Sequence, residues 1–374
     1  MFRGMHSPVA IFANCGYIEV DTERELRIGV AGLGFGAAVH IPVFQAMPGV
    51  VVEGIAGNNY AHAALVAKTF SIPHAFSSVD ELLKLPLDAV SLALPPDQVY
   101  AAATKVIRAG LPVLCEKPLG MNAEQARSLQ MQASELVTAM DFLFAEVDEF
   151  QELKYLIDSR QLGNLRHINV LWLTESWAQR SLTWSWKSDI RRGGGIGALY
   201  GTHLYYMAEW LLGPAVRVFA SAGKPVCKSF APSGSQPAED LLNCVIHHQN
   251  GAVWSATIGN ANPGLNVHRW IAVFDRGHGI LENLSSDYIS GFRLEVFPAI
   301  EGAVIETAAV DARDGRIRPF SRLAERFIAA IRYGCAMYPD FRAGARVQLI
   351  DEVIKASCKS GVFMTLVNAE LDTA

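Results

Sequence analysis

Hydrophobic and polar positions alternate in two regimes along this chain. From residue 27 onward, short apolar runs of strand length alternate with stretches whose apolar residues recur at helical spacing. Residues 27–31 form the first run, and residues 37–47 read as a helix ending at Pro48-Gly49. A β-branched run at 50–57, a helix at 59–70 and a short helix opened by the capping box Ser78-Val79-Asp80-Glu81 follow. Residues 87–94 form a third strand, stopped by Pro95-Pro96. A helix at 99–109, a strand at 112–115, a helix capped by Asn122 with Gln125, and a strand at 136–142 complete this half. Strand and helix in strict alternation predict a doubly wound parallel sheet, a Rossmann-type fold, over residues 27–141.

The regime changes near residue 142. One helix at about 147–160 leads into longer runs at 165–173, 215–220, 243–248 and 252–258, with a hairpin signal at Gln249-Asn250-Gly251. Two helices, 321–333 and 343–360, close the patterned region. Residues 142–374 are therefore expected to be a second α/β domain, carrying a large, mostly antiparallel open sheet. Residues 1–26 read as an N-terminal extension. Their apolar stretch at 9–13 is too short for a membrane span and makes a poor signal peptide.

Composition narrows the function classes. The 374 residues carry 32 Lys and Arg against 37 Asp and Glu, a net charge of −5, with no long basic run, which argues against a nucleic-acid partner. The six cysteines, Cys15, Cys115, Cys227, Cys244, Cys335 and Cys358, are scattered, with no C-x-x-C pair. A cytoplasmic setting with reduced thiols and no structural metal is the expectation.

Candidate chemistry begins at the turn Gly32-Leu33-Gly34-Phe35-Gly36-Ala37, between the first strand and helix. In a dinucleotide turn the first glycine permits a tight bend, the second admits the diphosphate to the backbone, and a third small residue lets helix and strand pack. Gly32, Gly34 and Ala37 fit those tasks, with Phe35 and Gly36 completing the loop. The second strand ends Gly57-Asn58-Asn59, without the carboxylate that NAD enzymes place there, and His62 or Lys68 lies beyond. The coenzyme expected is therefore NADP in preference to NAD, with Leu94, Pro95, Glu116 and Lys117 lining the same site. Glu53 sits inside the strand and reads as a strand residue. Glu116-Lys117-Pro118 follows another predicted strand, where a lysine faces the ligand crevice and can stabilise a developing alkoxide.

The glycine turn and Leu114-Cys115-Glu116-Lys117-Pro118-Leu119-Gly120 together resemble the Gfo/Idh/MocA family of glucose-fructose oxidoreductase and inositol dehydrogenase relatives. Gly193-Gly194-Gly195, Gly201-Thr202-His203, Trp210-Leu211-Leu212-Gly213 and the closing Pro339-Asp340-Phe341-Arg342-Ala343-Gly344 extend the likeness over nearly the whole chain after Arg27. The resemblance implies an NAD(P)-dependent oxidoreductase of sugars, cyclitols or related polyols, with Lys117 and His203 catalytic. It also implies a homodimer or homotetramer formed through the second-domain sheet. Two departures stand out. Leu199 and Tyr206 occupy positions where many relatives carry aspartates beside the histidine. Tyr200 and Tyr206, three residues either side of His203, either share proton transfer or pack.

Four of the seven tryptophans, Trp172, Trp177, Trp184 and Trp186, precede the glycine loop. Trp172 is expected in the sheet, and Trp177 and Trp186 are candidate sugar contacts. Lys187 and Arg191, with Arg180 and Arg192, add positive charge suited to a phosphorylated, acidic or nucleotide-linked substrate. Two alternatives remain open at this level: reduction of an imine or other C=X bond on the same scaffold, and a dinucleotide-binding regulator without catalysis.

Overall fold

The computed structural model describes residues 24–285, 287–298 and 314–366, so nearly all of the N-terminal extension, Cys15 included, lies outside the described residues. The first sheet contains β1 (Leu26–Ala31), β2 (Val50–Ala56), β3 (His74–Phe76), β4 (Ala89–Leu92), β5 (Val113–Cys115) and β6 (Thr138–Met140). Every pairing is parallel and the order is β3-β2-β1-β4-β5-β6. This is the doubly wound sheet read from the sequence. Its inner strands are largely buried on both faces, which is why they read as near-continuous apolar runs. The strand order reverses between β1 and β4, and a ligand crevice opens at their carboxyl ends.

Capping fixes the helices of this half. Asn59, Ser78 and Asn122 accept from His62, Glu81 and Gln125 backbone N–H groups to open α2 (Tyr60–Thr69), α3 (Val79–Leu82) and α5 (Ala123–Gln132). Pro95 and Pro96, read as a strand stop, also open α4 (Pro96–Arg108). The helix expected at 37–47 is not uniform. Residues Gly36–His40 make a wide π-type turn, closed by Ile41 N–H to the Gly36 carbonyl, before α1 (Ile41–Ala46). Pro42 has no N–H to return to the Ala38 carbonyl, so the ordinary α-helical ladder cannot form there.

The second half contains α6 (Asp148–Ser159), β7 (Leu165–Glu175), α7 (Trp177–Arg180), α8 (Thr202–Leu212), β8 (Ala215–Ala222), β9 (Leu241–His248) and β10 (Val253–Gly259). Then come β11 (Ala261–Phe274), β12 (Gly277–Asn283), β13 (Arg293–Phe297), α9 (Ile317–Tyr333), α10 (Phe341–Ser360) and β14 (Met364–Thr365). Its sheet runs β13-β12-β11-β7-β10-β9-β8-β14. All pairs are antiparallel except β7 with β10. The sheet thus exceeds the four strands expected by the long β11, β12, β13 and the short β14. Along β7 and β11 burial alternates, Ile168, Val170, Trp172, His268, Trp270 and Ala272 facing the core.

The two closing helices return to the first domain. Phe320, Leu323 and Phe327 of α9 join the core of Ile28, Val39 and Phe44. At the start of α10, Met140 N–H donates to the Pro339 carbonyl (2.9 Å), Phe341 N–H to Thr138 Oγ1 (3.1 Å), and Gln348 Nε2 to the Gly120 carbonyl (3.3 Å). A Cβ on Gly344 would lie 2.9 Å from Leu119. The 339–344 motif therefore clamps the loop that carries Lys117. Cys115, Cys227, Cys244 and Cys358 are free thiols. Among the described residues no helix is long and apolar enough to cross a membrane.

Candidate active site

The glycine turn divides its tasks by space. Gly32 has φ +99°, and a Cβ there would lie 2.1 Å from the Ala93 carbonyl oxygen. Only glycine fits that bend. A Cβ on Gly34 would meet nothing within 4 Å, so this glycine leaves open ground over the backbone. Close helix-to-strand packing falls at Gly36, whose Cβ would sit 3.2 Å from Val30 and 3.3 Å from Ala93, with Ala37 packed against the same core. No side chain caps the turn that follows, leaving its leading N–H groups for an anion. These features fit a dinucleotide diphosphate.

At the end of β2, a Cβ on Gly57 would lie 2.6 Å from Leu33, Asn58 is exposed, and Asn59 is occupied as the α2 cap. Glu53 points instead toward His74, 3.6 Å away, which bears out its reading as a strand residue. Lys68 is in the last turn of α2, roughly 13 Å along the axis from Asn59 at about 1.5 Å per residue, and cannot serve a group held at the helix start. His62 lies in the first turn.

Lys117 leaves the end of β5 and donates from Nζ to the Leu199 carbonyl at 2.8 Å. Leu199 lies in a second π-type turn, Gly197–Gly201, directly before α8. Leu199 thus offers a backbone oxygen to the lysine. Burial lowers the Lys117 pKa, opposed by the charges of Glu116 and Asp141 and aided by Lys187. His203 is buried on α8, with the Phe144 ring packed edge-on at 5.0 Å and Nδ1 without a partner. Burial, then the charges of Lys117 and His268, hold its pKa well below the ordinary histidine value. It is a neutral imidazole at neutral pH.

The flanking tyrosines pack. Tyr206 stacks on Phe142 at 4.4 Å with its hydroxyl turned to Tyr338. Tyr200 stacks on Trp172 at 4.1 Å, its hydroxyl 3.0 Å from Thr174 Oγ1. Trp172 lies buried in β7 between Tyr200 and His268. Among the substrate-side candidates, Lys187 comes close enough for its charge to act on Lys117, its ammonium 6.0 Å from the Trp186 ring centre. Trp177 is 66% exposed, and Arg191 is held by both oxygens of Asp189.

Sequence reasoning missed four residues here: His40, Asp141, Arg316 and Tyr288. The Arg316 guanidinium lies 4.7 Å over the Phe35 ring and bonds Asp314 and Tyr288. His40 and Asp141 lie beside Glu116. A lone histidine on an apolar helix and a lone aspartate ending an apolar strand were the available signals. Oxygen and nitrogen atoms of His40, Glu116 and Asp141 lie within 4.8 Å of one another. Lys117 and Arg316 already supply positive charge beside them, so the cluster is not read as a metal site.

A parallel dinucleotide sheet, a crevice lysine and a neutral histidine across from it define an NAD(P)-dependent oxidoreductase, and the protein is an enzyme of that class. The chain belongs to the Gfo/Idh/MocA family: residues 26–139 match its "Oxidoreductase family, NAD-binding Rossmann fold" model and residues 154–366 its "C-terminal alpha/beta domain". It is 29% identical over 349 residues to an uncharacterized oxidoreductase of Synechocystis sp., covering 88% of this chain and 93% of that protein. It is 24% identical over 389 aligned positions to levoglucosan dehydrogenase of Pseudarthrobacter phenanthrenivorans, covering 89% and 96%. Among solved structures, levoglucosan dehydrogenase in complex with NADH and levoglucosan shares the fold. The TM-score is 0.78 at 22% identity, over 92% of this chain and 100% of that one.

Proposed function

We propose that this enzyme interconverts a carbinol and a carbonyl on a sugar, cyclitol or related polyol, with NADP preferred to NAD. The observation that carries the reading is the Lys117 ammonium, fixed by the Leu199 carbonyl at the crevice end of β5 beside buried His203. A bound nicotinamide supplies hydride exchange. Gly32, Gly34, Phe35, Gly36 and Ala37 hold the diphosphate, Gly57, Asn58 and Asn59 face the adenosine ribose, and Leu94 and Pro95 line the same crevice. Lys117 binds the reacting oxygen and exchanges its proton, and neutral His203 orients that oxygen by a hydrogen bond. Lys187, with Trp186, favours a substrate carrying an anionic group.

NADP preference rests on the absence of a carboxylate at Gly57-Asn58-Asn59 and on His62 in the first turn of α2. The outer face of the second sheet, where half-buried Leu171, Leu173, Val245, Ile271 and Val273 lie among polar residues such as Asn169, Ser255 and Thr257, supports a homodimer or homotetramer. One observation favours a second reading, C=N reduction: the His203 Nδ1 has no carboxylate partner.

The test is a matched screen of polyols with NADP⁺ and NAD⁺, and of keto-sugars and cyclic imines with NADPH and NADH. Turnover of polyol and keto-sugar with higher kcat/KM for NADP(H) is expected. Turnover of imines alone would replace the reading with its alternative, and preference for NAD(H) would overturn the coenzyme assignment.

A further inference from the structure

His40, Asp141 and Glu116 lie together near Lys117, the first two fully buried and the Glu116 side chain 13% exposed, and none has a part in the chemistry described above. His40 leaves the wide turn Gly36–His40 fully buried, stacked on Phe320 at 4.1 Å and edge-on to Phe35 at 5.2 Å. Its Nδ1 is 2.7 Å from Ser91 Oγ. Its Nε2 lies 3.8 Å from Glu116 Oε1 and 3.8 Å from Asp141 Oδ2. Nε2, Glu116 Oε1 and both Asp141 oxygens are out of contact with solvent and have no hydrogen-bond partner within ordinary reach.

Two adjacent carboxyls removed from water do not both ionise, because each charge raises the cost of the other. Burial and the Glu116 charge hold the Asp141 pKa well above the usual carboxylate value. Burial opposes ionisation of Glu116 too, but His40, Asp141 and Lys117 together hold its pKa low. An ionised carboxylate only accepts, so the imidazole proton belongs on Nε2, and Ser91 Oγ–H donates to Nδ1.

We propose that Glu116 and Asp141 share one proton, with the His40 Nε2–H directed at both from 3.8 Å, and that His40 and Asp141 are thereby positioning residues that fix a single negative charge against Lys117. Two charges would lock the lysine as ammonium. None would leave it facing Lys187 without a counter-charge, with burial already acting against its charged form. One charge leaves a proton that Lys117 can give and regain. Other charged or titratable groups in the surroundings are Glu146 toward Asp141, Arg316 toward His40, Tyr288 toward the pair and His203 toward Lys117. Because His40 belongs to the turn that follows the diphosphate loop, the charge under Lys117 is tied mechanically to the dinucleotide site. The use of this charge rests on the oxidoreductase reading; its existence does not.

The experiment is competitive acetylation of the cofactor-free full chain with isotopic acetic anhydride across pH, reading the Lys117 peptide by mass spectrometry. Glu116→Gln combined with Asp141→Asn removes the charge and is expected to lower the Lys117 midpoint by about one pH unit or more, a tenfold shift in its protonation equilibrium. Asp141→Asn alone keeps a donor and the same net charge, and is expected to move the midpoint by less than about half a unit. Equal downward shifts in both, or no shift in either, overturn the proposal. Should either variant fail to fold, infrared spectra of the wild-type chain with ¹³C-labelled aspartate decide. A protonated aspartic acid band persisting above neutral pH is expected, and its absence overturns the proposal. Neither readout uses dinucleotide or substrate. A shared proton without NAD(P)-linked turnover would therefore sink the functional reading alone.

Discussion

Lys117 is held between opposing influences, and its neighbours decide what it does. Burial presses it toward the neutral amine, the carboxyl pair restores its charge, and the Leu199 carbonyl aims Nζ. His203 differs in kind, since everything around it disfavours protonation. The profile of kcat/KM against pH should therefore show no limb near the ordinary histidine pKa that His203→Asn removes. A limb near that value, lost in the variant, would show a charged imidazole instead. The glycines give a paired test. Gly32→Ala forces a Cβ onto the Ala93 carbonyl and should cost about 1–3 kcal/mol of stability or more, read by thermal melts. Gly34→Val should leave the melt near wild type and weaken NAD(P)H binding about tenfold or more, about 1.4 kcal/mol, read by fluorescence titration.

At the scale of elements, the two π-type turns do what regular helices would not. Gly36–His40 turns His40 into the sheet, and Gly197–Gly201 brings the Leu199 carbonyl to Lys117. The parallel sheet, its caps and the lysine at the end of β5 were legible because each follows from local period and short-range chemistry. The π-type turns were not, because spacing alone does not distinguish a helix from a widened turn. His40 and Asp141 were illegible for another reason. Their meaning comes from a turn and a strand end 76 and 25 residues from Glu116 along the chain, which only the sheet order brings together. The docking of α9 on the first domain is likewise long-range. Phe327→Ala should destabilise the protein by about 3–5 kcal/mol, measured by denaturant unfolding, because Phe327 fills the first-domain core. A loss under about 1 kcal/mol would contradict that packing.

For the whole molecule, buried neutral groups shape the response to acid. Burial pushes the His268 pKa down to about 3, while an unfolded chain protonates it near 6.5. The unfolded state then binds more protons between those values, so stability present above about pH 6.5 is lost as pH falls through the window. Asp141 acts in the opposite direction, so the difference between variants is the clean measure. Between pH 7 and 5 wild type should lose up to about 1.4 kcal/mol more per pH unit than His268→Gln, read by thermal denaturation. Assembly is tested on the outer sheet face: wild type should sediment as a dimer or tetramer, and Ile271→Arg as a smaller species. A wild-type monomer would contradict that interface.

The most direct measurement combines NAD(P)H affinity and turnover on the same samples of wild type and Lys117→Ala, using the best substrate from the polyol and keto-sugar screen. The account predicts affinity within about threefold and turnover down by about 10²–10⁴-fold. Turnover within severalfold of wild type, with the dinucleotide still bound, would contradict the role given to Lys117.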